Sequence, residues 1–224
     1  MASRSSVKPV RSSDESPPTR PHPVLTLSLP TPIGRVYMAA TERALIRIEL
    51  PDPNAEMRLK IWVALHFPHA SIRSGVSPIL KKTATQLEGY FTGGLTRFTL
   101  PCRLVGTEFQ VAVWEHVRNI PFGGTRSYGE IAAALERPRA VRAVGAAQGA
   151  NPLPIVIPCH RVIGADGTLT GYGGGLDVKH WLLEHESELP ERAVAKPERR
   201  LHALAPRPGG RTPSGRRPGS HLRH

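Results

Sequence analysis

The chain has 224 residues, of which 39% are hydrophobic, so it can bury one large core or two small ones. No stretch approaches the roughly 18 uninterrupted apolar residues of a membrane helix, and no apolar core follows the polar N-terminus, so we expect neither a membrane-spanning nor a secreted protein. The only two cysteines, Cys102 and Cys159, exclude a disulfide framework and indicate the reducing cytoplasm.

The formal net charge of +12 is concentrated at the two ends of the chain. Residues 191–224 carry nine Lys and Arg against two Glu, and residues 1–23 carry four against two acidic residues, which leaves +3 for residues 24–190. Both ends are rich in Pro, Ser, Arg and Gly and lack apolar periodicity, so we predict that they are disordered extensions. The charge favours a nucleic-acid partner only weakly, because a solvated tail explains it equally well.

Residues 24–103 are predicted to form a small α/β domain with an antiparallel sheet. Three stretches that alternate or run apolar, separated by turn residues, predict the strands, at residues 24–29, 35–40 and 45–50. Apolar residues at helical spacing predict a helix over residues 80–91, which Gly93 and Gly94 stop. Residues 98–102 are predicted to return as a strand.

Residues 104–190 are predicted to form a mostly helical domain. Thr107 with Gln110 has the spacing of a capping box and begins one helix, and Ser127 with Glu130 repeats that spacing before a second, short helix. Pro138 interrupts the short helix, and another helix follows over residues 139–147. Two short helices around a tight break indicate a helix-turn-helix.

The second helix of that pair has a small and basic outer face. Arg139 and Arg142 are spaced three apart among the small residues Ala140, Ala143 and Gly145. Such a helix can approach a nucleic-acid groove closely while its arginines reach phosphates or bases. An Ala-rich packing helix is the alternative explanation of this stretch on its own.

Cys159 follows an apolar run, residues 155–157, that predicts a buried strand with the thiol at its end. A cysteine becomes a nucleophile when it is deprotonated, and His160 and Arg161 are candidates to lower its pKa from about 8.5. Adjacent side chains of an extended chain point to opposite faces, so Cys159 and His160 pair only if the backbone turns or a water bridges them. A buried, inert thiol is the alternative for this residue alone.

The segment around this cysteine, residues 151–164 with the sequence NPLPIVIPCHRVIG, closely resembles the active-site segment of the O6-alkylguanine-DNA alkyltransferases. Residues 109–114 and 139–145 resemble the first helix and the recognition helix of that family. Further similarity lies downstream, at residues 169–176 and 179–186. The resemblance is strong over residues 107–187 and looser over residues 24–100, where the turn at residues 31–34 carries it.

The resemblance implies a single-use repair reaction on double-stranded DNA. The thiolate of Cys159 would take the alkyl group from guanine O6, with thymine O4 as a further candidate, and leave a normal base. A thioether sulfur is a poor leaving group, so the protein would be consumed in the reaction. The resemblance implies no cofactor and no membrane partner, and we expect a monomer.

The resemblance also implies catalytic roles. His160 would take the thiol proton through a water molecule, and Glu186 would hold the resulting imidazolium. Tyr128 would donate a proton to the departing guanine. The target nucleotide must rotate out of the duplex, and Arg142 would fill the vacated space from the minor groove, whereas a generic helix-turn-helix enters the major groove.

The other implied residues form two groups. The DNA-contacting group comprises Arg142 together with Ser127, Arg139, Ala140, Ala143 and Gly145. The base pocket and its supports comprise Asn151, Val162, Tyr172, Gly173 and Lys179. Within the second group, Asn151 would tie the recognition helix to the strand that leads to the active site.

Three positions depart from the pattern of the family. Gly173 stands where many relatives have Ser, which removes one contact to guanine and could widen the pocket. Glu136 ends the first helix of the pair where relatives often have Gly, which strains that terminus. Ala150 replaces a residue that is often basic. Residues 24–103 also lack the Cys and His positions that hold zinc in some relatives, so we predict no metal.

Three other functions compete with this interpretation. A non-catalytic damage sensor of the alkyltransferase-like kind lacks the acceptor cysteine, and Cys159 argues against it. A thiol hydrolase with the same Cys-His-Glu logic would have an oxyanion hole and no DNA-reading helix, which residues 139–145 disfavour. Regulation of transcription could be an added role, although no second sensor domain is visible.

Overall fold

The computed structural model describes residues 23–189. The predicted disordered extensions, residues 1–23 and 191–224, lie outside this range except for Pro23, which begins the first strand. Within residues 23–189, none of the helices has the length and apolarity needed to cross a bilayer.

Four strands form one sheet in the order β3-β2-β1-β4. They are β1 (Pro23–Thr31), β2 (Gly34–Ala40), β3 (Leu45–Glu49) and β4 (Ser71–Ser74). The first three are antiparallel neighbours, which confirms the predicted antiparallel sheet, and β4 adds a parallel edge beside β1. The β1–β2 turn requires glycine, because Gly34 has φ +113° and an added Cβ would lie 2.8 Å from Pro51 Cβ.

Two helices accompany the sheet, α1 (Ala55–His66) and α2 (Pro78–Phe91). The second was predicted, and it begins at Ser77, whose side chain accepts a hydrogen bond from Leu80 N. The first was not predicted, because apolar residues lie on both its buried and its exposed faces and leave no one-sided period. Its exposed apolar residues are Met57, Ile61 and Leu65.

The predicted strand over residues 98–102 is wrong except at its end. Only Cys102 forms a bridge, with Leu45 at the start of β3. Thr99 N instead donates to Gln86 Oε1 at 2.9 Å, so a side chain of α2 takes the backbone group that a strand would have paired.

The C-terminal part of the described chain contains four helices and a two-stranded parallel ladder. The helices are α3 (Glu108–Arg118), α4 (Tyr128–Ala134), α5 (Val141–Gly149) and α6 (Leu176–Glu188). The ladder pairs β5 (Arg126–Ser127) with β6 (Val162–Ile163). Both predicted capping boxes, Thr107 with Gln110 and Ser127 with Glu130, are present, and each fixes the first residue of its helix.

Helices α4 and α5 form the predicted helix-turn-helix and pack against α3. Trp114 Nε1 donates to Ala147 O at 2.8 Å, and this buried bond joins α3 to α5. Helix α5 begins at Val141. Arg139 and Ala140 were predicted to lie in this helix, but they belong to the turn that precedes it. One continuous core runs from the sheet through α2 and α3 to α6, and it gives the loops between them a rigid support.

Glu136 follows the end of α4 in the left-handed region, with φ +57°. This conformation costs an L-residue with a Cβ about 1–2 kcal/mol, and glycine adopts it without that penalty. The substitution Glu136→Gly is therefore expected to raise the free energy of unfolding by about 0.5–1 kcal/mol in urea denaturation, after the added entropy of the unfolded glycine is subtracted. Glu136→Ala keeps a Cβ and should bring no gain. A Glu136→Gly protein no more stable than the wild type would contradict this account.

Candidate active site

Cys159 lies after a tight turn and not at the end of a strand. The predicted strand at residues 155–157 is wrong, because Ile155 has φ +73° and Ile157 N donates back to Leu153 O at 2.8 Å. Prolines at positions 152, 154 and 158 lack the N–H groups that a sheet needs. Cys159 instead starts a single 3-10 turn, Cys159–Arg161, so the backbone turns between the thiol and the next side chain.

Asn151 fixes the shape of this turn. Its Nδ2 donates to Ile157 O at 2.9 Å and to Cys159 Sγ at 3.1 Å, and its Oδ1 accepts from Leu153 N at 2.9 Å. Because Asn151 comes two residues after α5, one buried side chain connects the end of that helix to the thiol.

The Cys159 thiol is protonated in the resting protein. Only 6% of the residue is exposed, and burial raises the pKa of Cys159 to about 11, although the hydrogen bond from Asn151 and the charge of Lys179 oppose this shift. Of the two adjacent residues expected to lower this pKa, the backbone of His160 does so, but burial outweighs it in the resting state. Reaction at neutral pH requires a base that removes the proton when the substrate is in place.

His160 has the properties of such a base. It is fully buried, and burial lowers its pKa, while the hydrogen bond and charge of Glu186 act in the opposite direction. Its Nε2 lies 2.7 Å from Glu186 Oε1, so the carboxylate selects the tautomer with the proton on Nε2. Nδ1 then carries the lone pair, and it has no hydrogen-bond partner among residues 23–189.

Glu186 is held as a carboxylate by four hydrogen-bond donors from three residues, in addition to His160. The donors are Arg161 Nε at 2.8 Å, Arg161 Nη2 at 2.9 Å, Tyr90 Oη at 2.8 Å and Gly123 N at 3.1 Å. Burial by itself raises the pKa of Glu186, but the hydrogen bonds from His160 and Arg161 and the positive charge of Arg161 outweigh it and hold that pKa well below its usual range. The negative charge is therefore available to stabilise a protonated His160.

Arg161 was predicted only as a candidate to lower the pKa of Cys159 and not as a partner of Glu186, and Tyr90 was not predicted as part of the site. Arg161 is 5% exposed, and besides its two bonds to Glu186 it donates from Nη1 to Ile120 O at 2.6 Å. The sequence signal was only its position next to His160. Tyr90 belongs to α2, 96 residues before Glu186, and its helical periodicity is that of an ordinary core residue.

Lys179 holds together the backbone around Val162 and Thr170. Its side chain is fully buried in α6, and Nζ donates to Val162 O at 2.6 Å and to Thr170 O at 2.9 Å. Burial lowers the pKa of Lys179, and the neighbouring Cys159 opposes that shift. Tyr128 Oη donates to the same Thr170 carbonyl at 3.2 Å. Lys179 thus ties β6 to the loop that Tyr128 contacts.

The predicted DNA-contacting residues lie on the helix-turn-helix. Arg142 and Ala143 are exposed on α5, Arg139 is exposed in the turn before it, and Ala140 is half-buried at the helix start. A Cβ added to Gly145 would lie 3.9 Å from the Tyr128 ring, so α5 passes close to that phenol. Ser127 is half-buried, and its hydroxyl caps α4.

The residues predicted for the base pocket are divided between buried and open positions. Val162 is fully buried in β6, and Tyr172 Oη is buried without a hydrogen-bond partner among residues 23–189. Gly173 is exposed, and an added Cβ would meet nothing within 4 Å, so the serine of many relatives would fit there. Ala150 is exposed at the end of α5.

The part of the chain that the structure describes contains no group of three His, Cys, Asp or Glu side chains that could hold a metal ion. Asn151 instead joins the buried thiol to the end of the helix-turn-helix, and the histidine–carboxylate pair begins at the residue after the thiol. This combination defines a class of proteins in which a cysteine nucleophile lies beside a helix suited to a nucleic-acid groove.

Two family models match the chain, and together they cover most of it. The ribonuclease-like domain of 6-O-methylguanine DNA methyltransferase matches residues 25–104, and the DNA binding domain of 6-O-methylguanine DNA methyltransferase matches residues 108–188. The chain therefore belongs to the 6-O-methylguanine DNA methyltransferase family, as its resemblance to the alkyltransferases predicted.

Individual relatives agree with the family models. A methylated-DNA--protein-cysteine methyltransferase of Methanosarcina barkeri is 43% identical over 156 residues, which are 70% of this chain and 92% of that protein. The protein of the same name from Mycolicibacterium paratuberculosis is 45% identical over 156 residues, 70% of this chain and 88% of that protein. The crystal structure of Mycobacterium tuberculosis OGT in complex with DNA is similar with a TM-score of 0.63 and 40% identity, and the similarity covers 73% of this chain and 93% of that one.

Proposed function

We propose that this protein repairs O6-alkylguanine in double-stranded DNA by transferring the alkyl group to Sγ of Cys159, once per molecule. Thymine alkylated at O4 is a second candidate substrate. The observation that carries the proposal is the hydrogen bond from the Asn151 side chain to the Cys159 thiol at 3.1 Å, because Asn151 lies two residues after α5, the helix that carries Arg142. It places a potential nucleophile beside a helix suited to a DNA groove.

His160 is the base that activates the thiol. Its Nδ1 takes the thiol proton through a water molecule, and Glu186 stabilises the imidazolium from the other side of the ring. Sulfur attacks the alkyl carbon, the S–C bond forms as the C–O6 bond breaks, and the electron pair stays on the base. Tyr128 donates the proton that the guanine then needs. His160 releases the thiol proton to solvent, and Tyr128 takes up a proton from solvent.

The raised pKa of Cys159 protects a residue that is used only once. A buried thiol is inert towards oxidants and solvent electrophiles, and it becomes nucleophilic when His160 accepts its proton. Selectivity for the damaged base then comes from binding, because only an alkyl carbon held in line with sulfur can react.

Binding to DNA uses the helix-turn-helix with the damaged nucleotide rotated out of the duplex. Arg142 is exposed on α5, and we place it in the space that the nucleotide leaves, from the minor groove. The surface around it comprises Ser127, Arg139, Ala140, Ala143 and Gly145. The flipped base is received by Val162, Tyr172 and Gly173, while Asn151 and Lys179 hold the walls of the pocket in place.

We also propose two features of the whole protein. Residues 24–103 and 104–190 are two domains, which the separate matches of the two family models support. The protein works in the cytoplasm, which is supported by its two cysteines, both free thiols that a reducing compartment would preserve.

A titration tests whether each protein molecule transfers only one alkyl group. Protein is mixed with increasing amounts of a duplex that contains O6-methylguanine, and restored guanine is measured by chromatography of the hydrolysed DNA. Restored guanine is expected to stop at one equivalent per protein, because a thioether is a poor leaving group. Continued formation of guanine beyond one equivalent would contradict the proposal, and the unmodified duplex gives the background.

A further inference from the structure

Tyr90, near the end of α2, contacts two successive residues of α6. Its Oη donates to Glu186 Oε1 at 2.8 Å, and its backbone carbonyl accepts from His185 Nε2 at 2.9 Å. Tyr90 is fully buried, and its ring packs against Phe98 and Phe122 with centroid distances of 5.7 and 6.0 Å. The side chain and the main chain of one residue therefore both hold α2 against the turn of α6 that carries Glu186.

Tyr90 and His160 share one oxygen of the Glu186 carboxylate. Oε1 accepts from Tyr90 Oη at 2.8 Å, from His160 Nε2 at 2.7 Å and from Arg161 Nη2 at 2.9 Å. Oε2 accepts from Arg161 Nε and from Gly123 N. Each donor stabilises the charged carboxylate and so lowers its affinity for a further proton. The bond from Tyr90 therefore weakens the attraction of Oε1 for the His160 proton.

The Tyr90 hydroxyl acts only as a donor in this position. Burial, followed by the negative charge of Glu186, raises the pKa of Tyr90 well above its usual value, and the charge of Arg161 opposes this shift only in part. The phenol keeps its proton through the neutral pH range, so it is a fixed neutral donor to the carboxylate.

The strength of His160 as a base depends on Glu186. Burial is the first cause that lowers the pKa of His160, and the charges of Arg161 and Lys179 lower it further, while the hydrogen bond and charge of Glu186 raise it. How readily Nδ1 accepts the thiol proton thus depends on how strongly Oε1 attracts the proton on Nε2. Any donor that shares Oε1 affects this strength.

We propose that Tyr90 is a positioning residue of the active site, which holds Glu186 Oε1 beside His160 and limits how strongly that oxygen attracts the imidazole proton, so that the Cys159 thiol keeps its proton in the resting protein. This inference rests on the proposed function of Cys159. It adds no bond to the reaction, because the thiol proton still passes to His160 Nδ1 and the phenol proton stays on Tyr90. The reactivity of the acceptor is thus set in part from α2, which carries none of the predicted site residues.

The first test is a proton NMR spectrum of the whole protein with isotope-labelled histidine. The Nε2 proton of His160 is fully buried in a 2.7 Å hydrogen bond, so it exchanges slowly, and it is assigned by its loss in His160→Gln. Tyr90→Phe removes one hydroxyl and keeps the ring and the backbone carbonyl. We expect the resonance to move downfield in Tyr90→Phe, because Oε1 then attracts this proton more strongly. A resonance that stays in place or moves upfield would overturn the proposal.

The second test is the rate of a single turnover on a saturating amount of duplex bearing O6-methylguanine at neutral pH. A stronger base at His160 produces more thiolate, so Tyr90→Phe is expected to transfer the methyl group about fivefold faster than the wild type, the factor that corresponds to one hydrogen bond of ordinary strength. A folded Tyr90→Phe protein that transfers at the wild-type rate or more slowly would contradict the limit that we assign to Tyr90.

Two controls separate this effect from packing. Tyr37→Phe removes a hydroxyl from β2, where the ring packs against the hydrophobic cluster around Val63, and it should leave the resonance and the rate unchanged. His185→Phe removes the other bond between α2 and α6 but keeps a ring beside Trp181, with which His185 stacks. It should leave the resonance unchanged. An equal shift in His185→Phe and Tyr90→Phe would assign the effect to helix packing and overturn the role of Tyr90.

The outcomes also distinguish this inference from the proposed function. Wild-type protein that transfers no methyl group would overturn the proposed function and, with it, the role of Tyr90 in transfer. The resonance is measured without DNA, so its failure to move in Tyr90→Phe would overturn the role of Tyr90 and leave the function of Cys159 standing.

Discussion

Replacing Glu186 with glutamine is expected to lower the free energy of unfolding by about 3–5 kcal/mol, the range seen when one partner of a buried ion pair is removed. The side chain of Glu186 is fully buried, and the Arg161 guanidinium that it neutralises is 6% exposed. Glutamine has the same shape, but it cannot balance this charge, and its NH2 group would face donors of Arg161, Tyr90 or Gly123. The loss corresponds to a fall in Tm of about 10 °C.

The pH dependence of stability gives a second measure of the same residue. The pKa of Glu186 is depressed in the folded protein, so its stabilisation is present above the unfolded pKa of about 4.3 and is lost as pH falls towards the folded pKa. The difference in unfolding free energy between wild type and Glu186→Gln should therefore be largest near neutral pH and shrink below about pH 4. Urea denaturation at several pH values measures it.

Glu56→Gln is the control for this experiment. Glu56 pairs with Lys60 on the surface of α1 with both side chains about half exposed, and its loss should change stability by less than about 0.5 kcal/mol. A Glu186→Gln protein as stable as Glu56→Gln would show that the buried carboxylate does not hold this region together.

Substituting Cys159 with alanine is expected to abolish alkyl transfer while DNA binding is retained. Sulfur is the acceptor atom in the proposed reaction, and no other described thiol lies in the site. The DNA-contacting surface on α4 and α5 does not include Cys159, so affinity for a duplex bearing O6-methylguanine should remain within a few-fold of the wild type. Transfer is measured by chromatography of the DNA and affinity by fluorescence anisotropy.

Cys102→Ala is the matched control for the acceptor. Cys102 is half-buried beside β3, and its Sγ lies 3.4 Å from Leu100 O, outside the site. Transfer at wild-type stoichiometry is expected in this variant. Transfer that persists in Cys159→Ala and disappears in Cys102→Ala would show that Cys102 is the acceptor and would contradict the proposal.

Features specified by neighbouring residues could be predicted from the sequence. The two capping boxes depend on residues three apart, and both form as the Thr107 and Ser127 spacings predicted. The antiparallel strands follow from alternation and from the Gly34 turn. The left-handed residue Glu136 was located through its departure from the family, since no local pattern marks a positive φ at a glutamate.

Features that depend on tertiary contacts could not be predicted in this way. The apolar run at residues 155–157 has the composition of a strand. It forms a turn instead, because the Asn151 side chain hydrogen-bonds to the backbone there and the flanking prolines lack the N–H groups of a strand. The pKa of Cys159 depends on burial more than on the adjacent His160 and Arg161. Burial is a property of the packed protein, and the sequence around a cysteine does not determine it.

The active site also combines residues that could be predicted from the sequence with residues that could not. The resemblance placed His160 and Glu186 together, but it did not indicate that Arg161 and Tyr90 would complete the shell of the carboxylate, because Tyr90 is 96 residues away in sequence.

Mass spectrometry of the reacted protein tests the central claim most directly. The protein is incubated with an excess of duplex bearing O6-methylguanine and digested, and the peptides containing Cys159 and Cys102 are analysed. We expect one added methyl group on Cys159 in nearly every molecule and none on Cys102. An unmodified Cys159 under excess damaged DNA would contradict the proposed function.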